Sequence, residues 1–120
     1  TEYLSFDVML PAPGQGAMAV QCRAEDSITR NLLSALDDSS SRGAVTAERA
    51  FLNGLGGGCS APVAAYAQRD STSTFQITGL VASVDGQRVI RISGEGSEPA
   101  ALGAELAQLA LTQGAREILR

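Results

Sequence analysis

Neither lysine nor histidine occurs anywhere in these 120 residues, tryptophan is absent too, and the aromatic side chains are two tyrosines and three phenylalanines. The first two absences exclude the most. The chain supplies no amine for a Schiff base, no imidazole general base and no imidazole metal ligand, which removes serine-hydrolase triads and most zinc centres. All nine basic residues are arginine, against 13 acidic ones, for a formal net charge of −4. Nucleic acid needs a basic patch to neutralise its phosphates, so no nucleic-acid partner is expected. Cysteine is scarce as well: Cys22 and Cys59 lack CxxC spacing and partner ligands, so no metal site is expected and a reducing, cytoplasmic compartment is. No signal-peptide pattern and no apolar run long enough to span a bilayer is seen, so no membrane partner is expected.

What is present suffices for a core. A hydrophobic fraction of 44% over this length fits one ordinary domain, or one domain plus part of a neighbour. The opening TEYLSFDVML reads as an extended segment already under way, so a piece of a longer protein is expected. PAPGQG interrupts it, since two prolines and two glycines fit neither a strand nor a helix interior, and forms a loop or hinge. AMAVQCR, residues 17–23, reads as a short strand. DSITRNLLSALDD then places Ile28, Leu32, Ala35 and Leu36 on one helical face, with Asp26 as N-cap. DDSSSRG, residues 37–43, is polar and aperiodic, and the boundary between structural units falls there. This gives an interdomain return segment over 1–38 and a second unit over 39–120.

In the second unit AVTAERAFLNGL reads as a helix with Val45, Leu52 and Leu55 on its apolar face and Gly54 and Gly56 near its end. Strands follow at 62–68, 74–84 and 87–93. Asp85 and Gly86 between the last two predict an antiparallel hairpin with a type I′ turn. SEPAALGAELAQLALTQ is a helix capped by Ser97, with Pro99 in its first turn and Leu102, Leu106 and Leu109 as its buried stripe. Gly114 ends it, and AREILR adds a short last helix. The predicted class is α+β: a small three-stranded antiparallel sheet covered on one face by about three helices, preceded by a hinge strand and helix that belong with a neighbouring domain.

Two glycine patterns invite a nucleotide reading. Gly14, Gly16 and Ala19 match GxGxxA, but that motif must open a helix and AMAVQC has strand character. The glycines of GLGGGC lack the GK[ST] of a P-loop and follow a helix instead of preceding one. As ordinary structure, GLGGGC is a helix cap and turn with Cys59 as a small buried residue. As chemistry, three glycines strip β-carbons from beside the thiol and turn backbone N–H groups towards it, which suits a nucleophile or an anchor. Cys22, mid-run beside Arg23, reads as a core residue. Arg49, four residues after Val45 and three before Leu52, falls on the apolar side of its helix and needs a partner, either a carboxylate of this chain or an anionic ligand.

The set LPAPGQGAMAVQCR, TAERAFLNGLGGGCSAPVAAYA, GLVASVDG and QGAREIL resembles the C-terminal part of the porphobilinogen deaminase (hydroxymethylbilane synthase) family, over essentially the whole chain. One departure is visible: the family usually has LEGGC, and Gly56 takes the place of that glutamate. The resemblance implies a transferase of haem and tetrapyrrole biosynthesis that joins four porphobilinogen units with loss of ammonia. It implies a dipyrromethane cofactor held on Cys59 by a thioether, since a soft thiolate captures the electrophilic methylene-pyrrole left when ammonia departs. It implies that Gln15, Gly16 and Gly58 lie beside the cofactor, with Arg23 and Arg49 near it or at a domain contact. It further implies a monomeric three-domain enzyme whose catalytic aspartate and most carboxylate-binding arginines belong to the two N-terminal domains. No catalytic residue is therefore expected here, and the 120-residue chain is expected to be inactive alone. The competing reading from another class is a standalone thiol or redox domain, or a structural interaction module.

Overall fold

The computed structural model describes residues 1–57 and 61–119; Gly58, Cys59, Ser60 and Arg120 lie outside the described residues. The elements run α1 (Ser27–Leu33), continued by a 3-10 turn (Ser34–Leu36), then α2 (Ser39–Gly54), β1 (Val63–Arg69), β2 (Phe75–Ala82), β3 (Val89–Gly96), α3 (Pro99–Thr112) and α4 (Ala115–Ile118). The strands form one antiparallel sheet in the order β1-β2-β3, with Val63 opposite Val81 and Ala82 opposite Val89. The expected α+β class with a three-stranded antiparallel sheet is what forms.

Alternation decides which face of the sheet is covered. Val63, Ala65 and Ala67 of β1 and Phe75, Ile77 and Val81 of β2 point to one side, where α2 and α3 pack. Phe51, Ile77 and Val81 are the largest fully buried side chains, each contributing about 1.5–3 kcal/mol by burial. The layers interlock through glycine. The Phe51 ring lies on the bare backbone of Gly79, and the Phe75 ring lies on that of Gly43. Helices α2 and α3 approach closely because a methyl group at Gly54 would stand 2.6 Å from Ala107 Cβ, and one at Gly103 would overlap the Ala47 carbonyl.

Several expectations need correction. Residues 17–23 form no strand; a strand needs a neighbour for its ladder, and none of the described residues offers one. The N-terminal segment is not extended throughout: Val8 and Met9 N–H groups both donate to Ser5 O, and the turn stacks Phe6 on Tyr66 at 3.9 Å between ring centres. Arg91, on the outer face of β3, donates to the carbonyls of Phe6 and Asp7 and holds that turn in place. The tract at 37–43 is not aperiodic chain. Asp38 accepts from Ser41 N–H at 2.7 Å and starts α2 at Ser39, because a good cap outweighs the modest helix propensity of three serines.

The apolar stripes sit differently from the reading by large side chains. The buried face of α2 is Ala47, Glu48, Phe51 and, at the cap, Leu55, while Ala44, Val45 and Leu52 flank it half-buried. That of α3 is Leu102, Gly103, Leu106, Ala107 and Ala110, which leaves Leu109 on the rim at 43% exposure. Pro99 opens α3 as expected, but Glu98, not Ser97, is the N-cap residue, and its side chain makes no capping bond. The β2–β3 connection is not a type I′ turn, which needs two central residues at positive φ. Gly86 has φ 70° and Asp85 does not share that region, and Ser83 N–H donates to Arg88 O at 2.8 Å across the longer loop. Asp85 accepts from Gln87 N–H, a local bond that competes with the left-handed geometry. Gly114, at φ 102°, ends α3 as read.

Candidate functional site

PAPGQG folds as two successive type II turns. Gln15 N–H donates to Ala12 O at 3.0 Å with Pro13 and Gly14 at the centre; Ala17 N–H donates to Gly14 O at 3.2 Å with Gln15 and Gly16 at the centre. Type II turns need positive φ at the third position, and Gly14 (75°) and Gly16 (85°) supply it. The Gln15 side chain accepts from Ala12 N–H through Oε1, which leaves its amide NH2 to donate outward. Gly16 opens onto a cavity of about 470 Å³ between residues 16–20, the end of the 3-10 turn and the first turns of α2. Asp37 and Arg42, which line it, form an ion pair with each other.

This loop is fastened to the sheet and to α2. Ala65 N–H, on the outer edge of β1, donates to Pro11 O at 3.0 Å. The carboxylate of Glu48, only 6% exposed, accepts from Gly14 N–H at 2.6 Å and from Ala67 N–H at 2.7 Å. Burial pushes the Glu48 carboxyl above its ordinary pKa, and the two N–H groups oppose that rise.

Helix α2 ends in a Schellman motif. Gly57 N–H donates to Leu52 O at 3.1 Å and Gly56 N–H to Asn53 O at 2.9 Å, with Gly56 in the left-handed region at φ 69°. Gly56, the departure from the family's glutamate, thus occupies the cap position where glycine carries no β-carbon penalty. The chain leaves the helix there, three residues before Cys59. From Glu48 to Gly56 is about 12 Å along the helix axis. A single helix therefore carries both the turn at Gln15 and Gly16 and the point from which the chain continues to Cys59.

The other predicted residues are placed as follows. Cys59 and Gly58 lie outside the described residues. Gln15 and Gly16 are exposed on the second turn. Arg23 is exposed on irregular chain, beside a free, half-buried Cys22. Arg49 is not on the apolar side of α2: it lies roughly 140° from the centre of the buried face and forms no ion pair among the described residues. The ionisable residue that is buried is Glu48, which the sequence reading passed over. Its signal was the spacing Ala44, Glu48, Phe51, Leu55, which follows the helical period once alanine is counted as apolar.

Residues 43–112 match the family model described as porphobilinogen deaminase, C-terminal domain, and residues 1–31 match the one described as porphobilinogen deaminase, dipyromethane cofactor binding domain. Gln15, Gly16 and Arg23 fall in the second match; Arg49 and Cys59 fall in the first. Among curated relatives, porphobilinogen deaminases of Brevibacillus brevis, Geobacillus sp. strain WCH70 and Carboxydothermus hydrogenoformans are 43%, 44% and 46% identical over 119, 119 and 121 residues. Each alignment takes in 99% of this chain and 38–39% of the relative, so the chain spans about two fifths of the length of the curated relatives it matches. The resemblance seen in the motifs is borne out over more than half of the chain by one family model alone, and the chain belongs to the porphobilinogen deaminase family.

Proposed function

We propose that this chain is the cofactor-carrying part of a hydroxymethylbilane synthase, a transferase that joins four porphobilinogen molecules into a linear tetrapyrrole with release of ammonia. Cys59 is the anchor, holding dipyrromethane through a thioether. The observation that carries this reading is the end of α2: a rigid helix closes on Gly56 and Gly57 and delivers the chain directly to the only thiol of the C-terminal family match.

The residues fit a flat group that bears carboxylates. A β-carbon at Gly16 or Gly56 would have no atom of the described residues within 4 Å, which leaves the backbone at both turns room for a planar ligand. The Gln15 amide donates outward, and Arg49 and Arg23 are exposed cations that the ion pairs of the described residues do not use. In this reading Gln15, Gly16 and Gly58 line the pyrroles and the two arginines meet the carboxylates or a neighbouring domain. Bound dipyrromethane supplies the permanent primer from which the pyrrole chain is extended. Cys59 holds that primer through a bond that is not broken in turnover.

Residues 1–38 are the return segment that completes a preceding domain, and 39–120 are the C-terminal domain. Ile28, Leu32 and Leu36 are each more than 70% exposed, an apolar face that a further domain would cover. The chain alone is inactive, since its exposed arginines are scattered on an acidic background and do not form the cationic cleft a polycarboxylate substrate requires. The complete enzyme is monomeric and cytoplasmic, with porphobilinogen and the growing pyrrole chain as its partners. The two cysteines, without CxxC spacing, support the reducing compartment, and the family resemblance supports the monomer and the substrate; no helix of the described residues is long and apolar enough to cross a membrane.

Intact mass of the complete enzyme tests the reading. Two additional pyrrole units are expected, and they should vanish in Cys59→Ser together with activity. An unmodified enzyme whose Cys59→Ser variant is fully active would return Cys59 to being a cysteine in a turn, and turnover by the 120-residue chain alone would overturn its proposed inactivity.

A further inference from the structure

We infer that Glu48 is the positioning residue of this site: by accepting from Gly14 and Ala67 N–H groups at once, its carboxylate holds the turn at Gln15 and Gly16 against helix α2, which precedes Cys59 in the chain. Residue 11 runs beside the outer edge of β1 like the stub of a fourth strand, its carbonyl accepting from Ala65 N–H. The next outward N–H on the same edge is that of Ala67, but Pro13 and Gly14 have by then turned the chain away. Two backbone donors are thus left without backbone acceptors, one on the sheet and one in the turn, and Glu48 takes both.

A neutral side chain cannot do this equally well. Glutamine offers one oxygen and places an NH2 donor against the second N–H, and leucine offers no acceptor. Retaining a charge at 6% exposure, with no cation of the described residues paired to it, would be costly if its task were only to fill space. The charged side chains on the elements packed around it are Arg42 and Arg49 on α2, Arg69 on β1 and Glu105 on α3, all exposed; β2 and residues 11–17 carry none. Fixing Gly14 N–H orients the central peptide plane of the first turn, and the second turn, which starts at Gly14, presents Gln15 and Gly16. Both carboxylate oxygens of Glu48 are taken by backbone N–H groups, and it acts through Gly14.

The catalytic part of this inference rests on the proposed function; the structural part does not, and one set of variants separates them. In the unmodified 120-residue chain, NMR should show the Gly14 and Ala67 amide protons titrating together with the Glu48 carboxyl carbon. In Glu48→Gln, amide exchange at Gly14 should quicken by about tenfold, the effect of losing one hydrogen bond to a charged acceptor, while Ile77, Val81 and Ile92 keep their protection. In the complete enzyme the same variant should retain the mass of two pyrrole units on Cys59 and lose kcat about tenfold with KM little changed. Unaltered exchange at Gly14, or separate titration of the two amides in the unmodified chain, would overturn the inference. So would equal loss of protection across the core, or a loosened turn accompanied by undiminished kcat. Absence of pyrrole mass from the unmodified enzyme would strike the proposed function and leave the exchange result standing.

Discussion

A carboxylic acid buried against the sheet edge and raised in pKa has a signed effect on stability. Glu48 is easier to protonate in the folded chain than in the unfolded one. Its contribution is therefore fully present below the unfolded pKa and is lost as pH rises through the higher folded value. Comparison with Glu48→Gln cancels the other carboxylates, several of which shift the opposite way because local hydrogen bonds hold their ionised forms. Urea unfolding of both proteins between pH 4 and pH 7.5 should show the unmodified chain gaining relative to the amide variant on acidification. Glu48→Ala, which leaves two N–H groups without acceptors, should cost about 2–4 kcal/mol at neutral pH. At this scale the sequence was legible in chemistry more than in place. Gln15 and Gly16 fall on an open turn as their residue types suggest, whereas the tie between Gly14 and Glu48 spans 34 positions and has no local signature.

Among the elements, the helix contact is set by small residues. Ala47 meets Gly103 and Gly54 meets Ala107, so the close approach of α2 and α3 depends on missing side-chain volume. Gly103→Ala should cost about 1–3 kcal/mol in chemical unfolding, because the added methyl has no space beside the Ala47 carbonyl. Leu106→Ala should cost about 2–5 kcal/mol and Leu109→Ala under about 1 kcal/mol, a contrast that checks the orientation of α3. Gly56→Ala should cost about 1–2 kcal/mol for a β-carbon at positive φ. Strand positions, the antiparallel pairing, Asp26 as cap and Gly114 as terminator could all be read from local pattern. The helix faces could not, because large apolar side chains were given more weight than alanine, and alanine is what these helices bury.

For the molecule as a whole, an ordered α+β unit carries an apolar leading segment that it does not cover. Leu32 is 71% exposed, so Leu32→Ser should change the stability of this chain by less than about 0.5 kcal/mol, while lowering Tm clearly in the complete enzyme. Equal effects in both would show that the leading segment meets nothing further. The same exposure explains why residues 17–23 misled: their apolar run is real, but pairing is a property of two segments, and a sequence displays one at a time. Cys59, the proposed anchor, was legible only through its glycine context and the family resemblance. The seating of residue 11 on β1 also bears on how copies of this chain behave towards each other in concentrated solution. With Ala65 and Ala67 already engaged, β1 cannot template another chain, and β3 is the one flank of the sheet where the described residues leave a ladder unfinished. Self-association that grows by strand addition must then begin at β3, where Arg91 and Glu95 place charges against it, and loosening the loop at Pro11 would open a second, less charged route to aggregation.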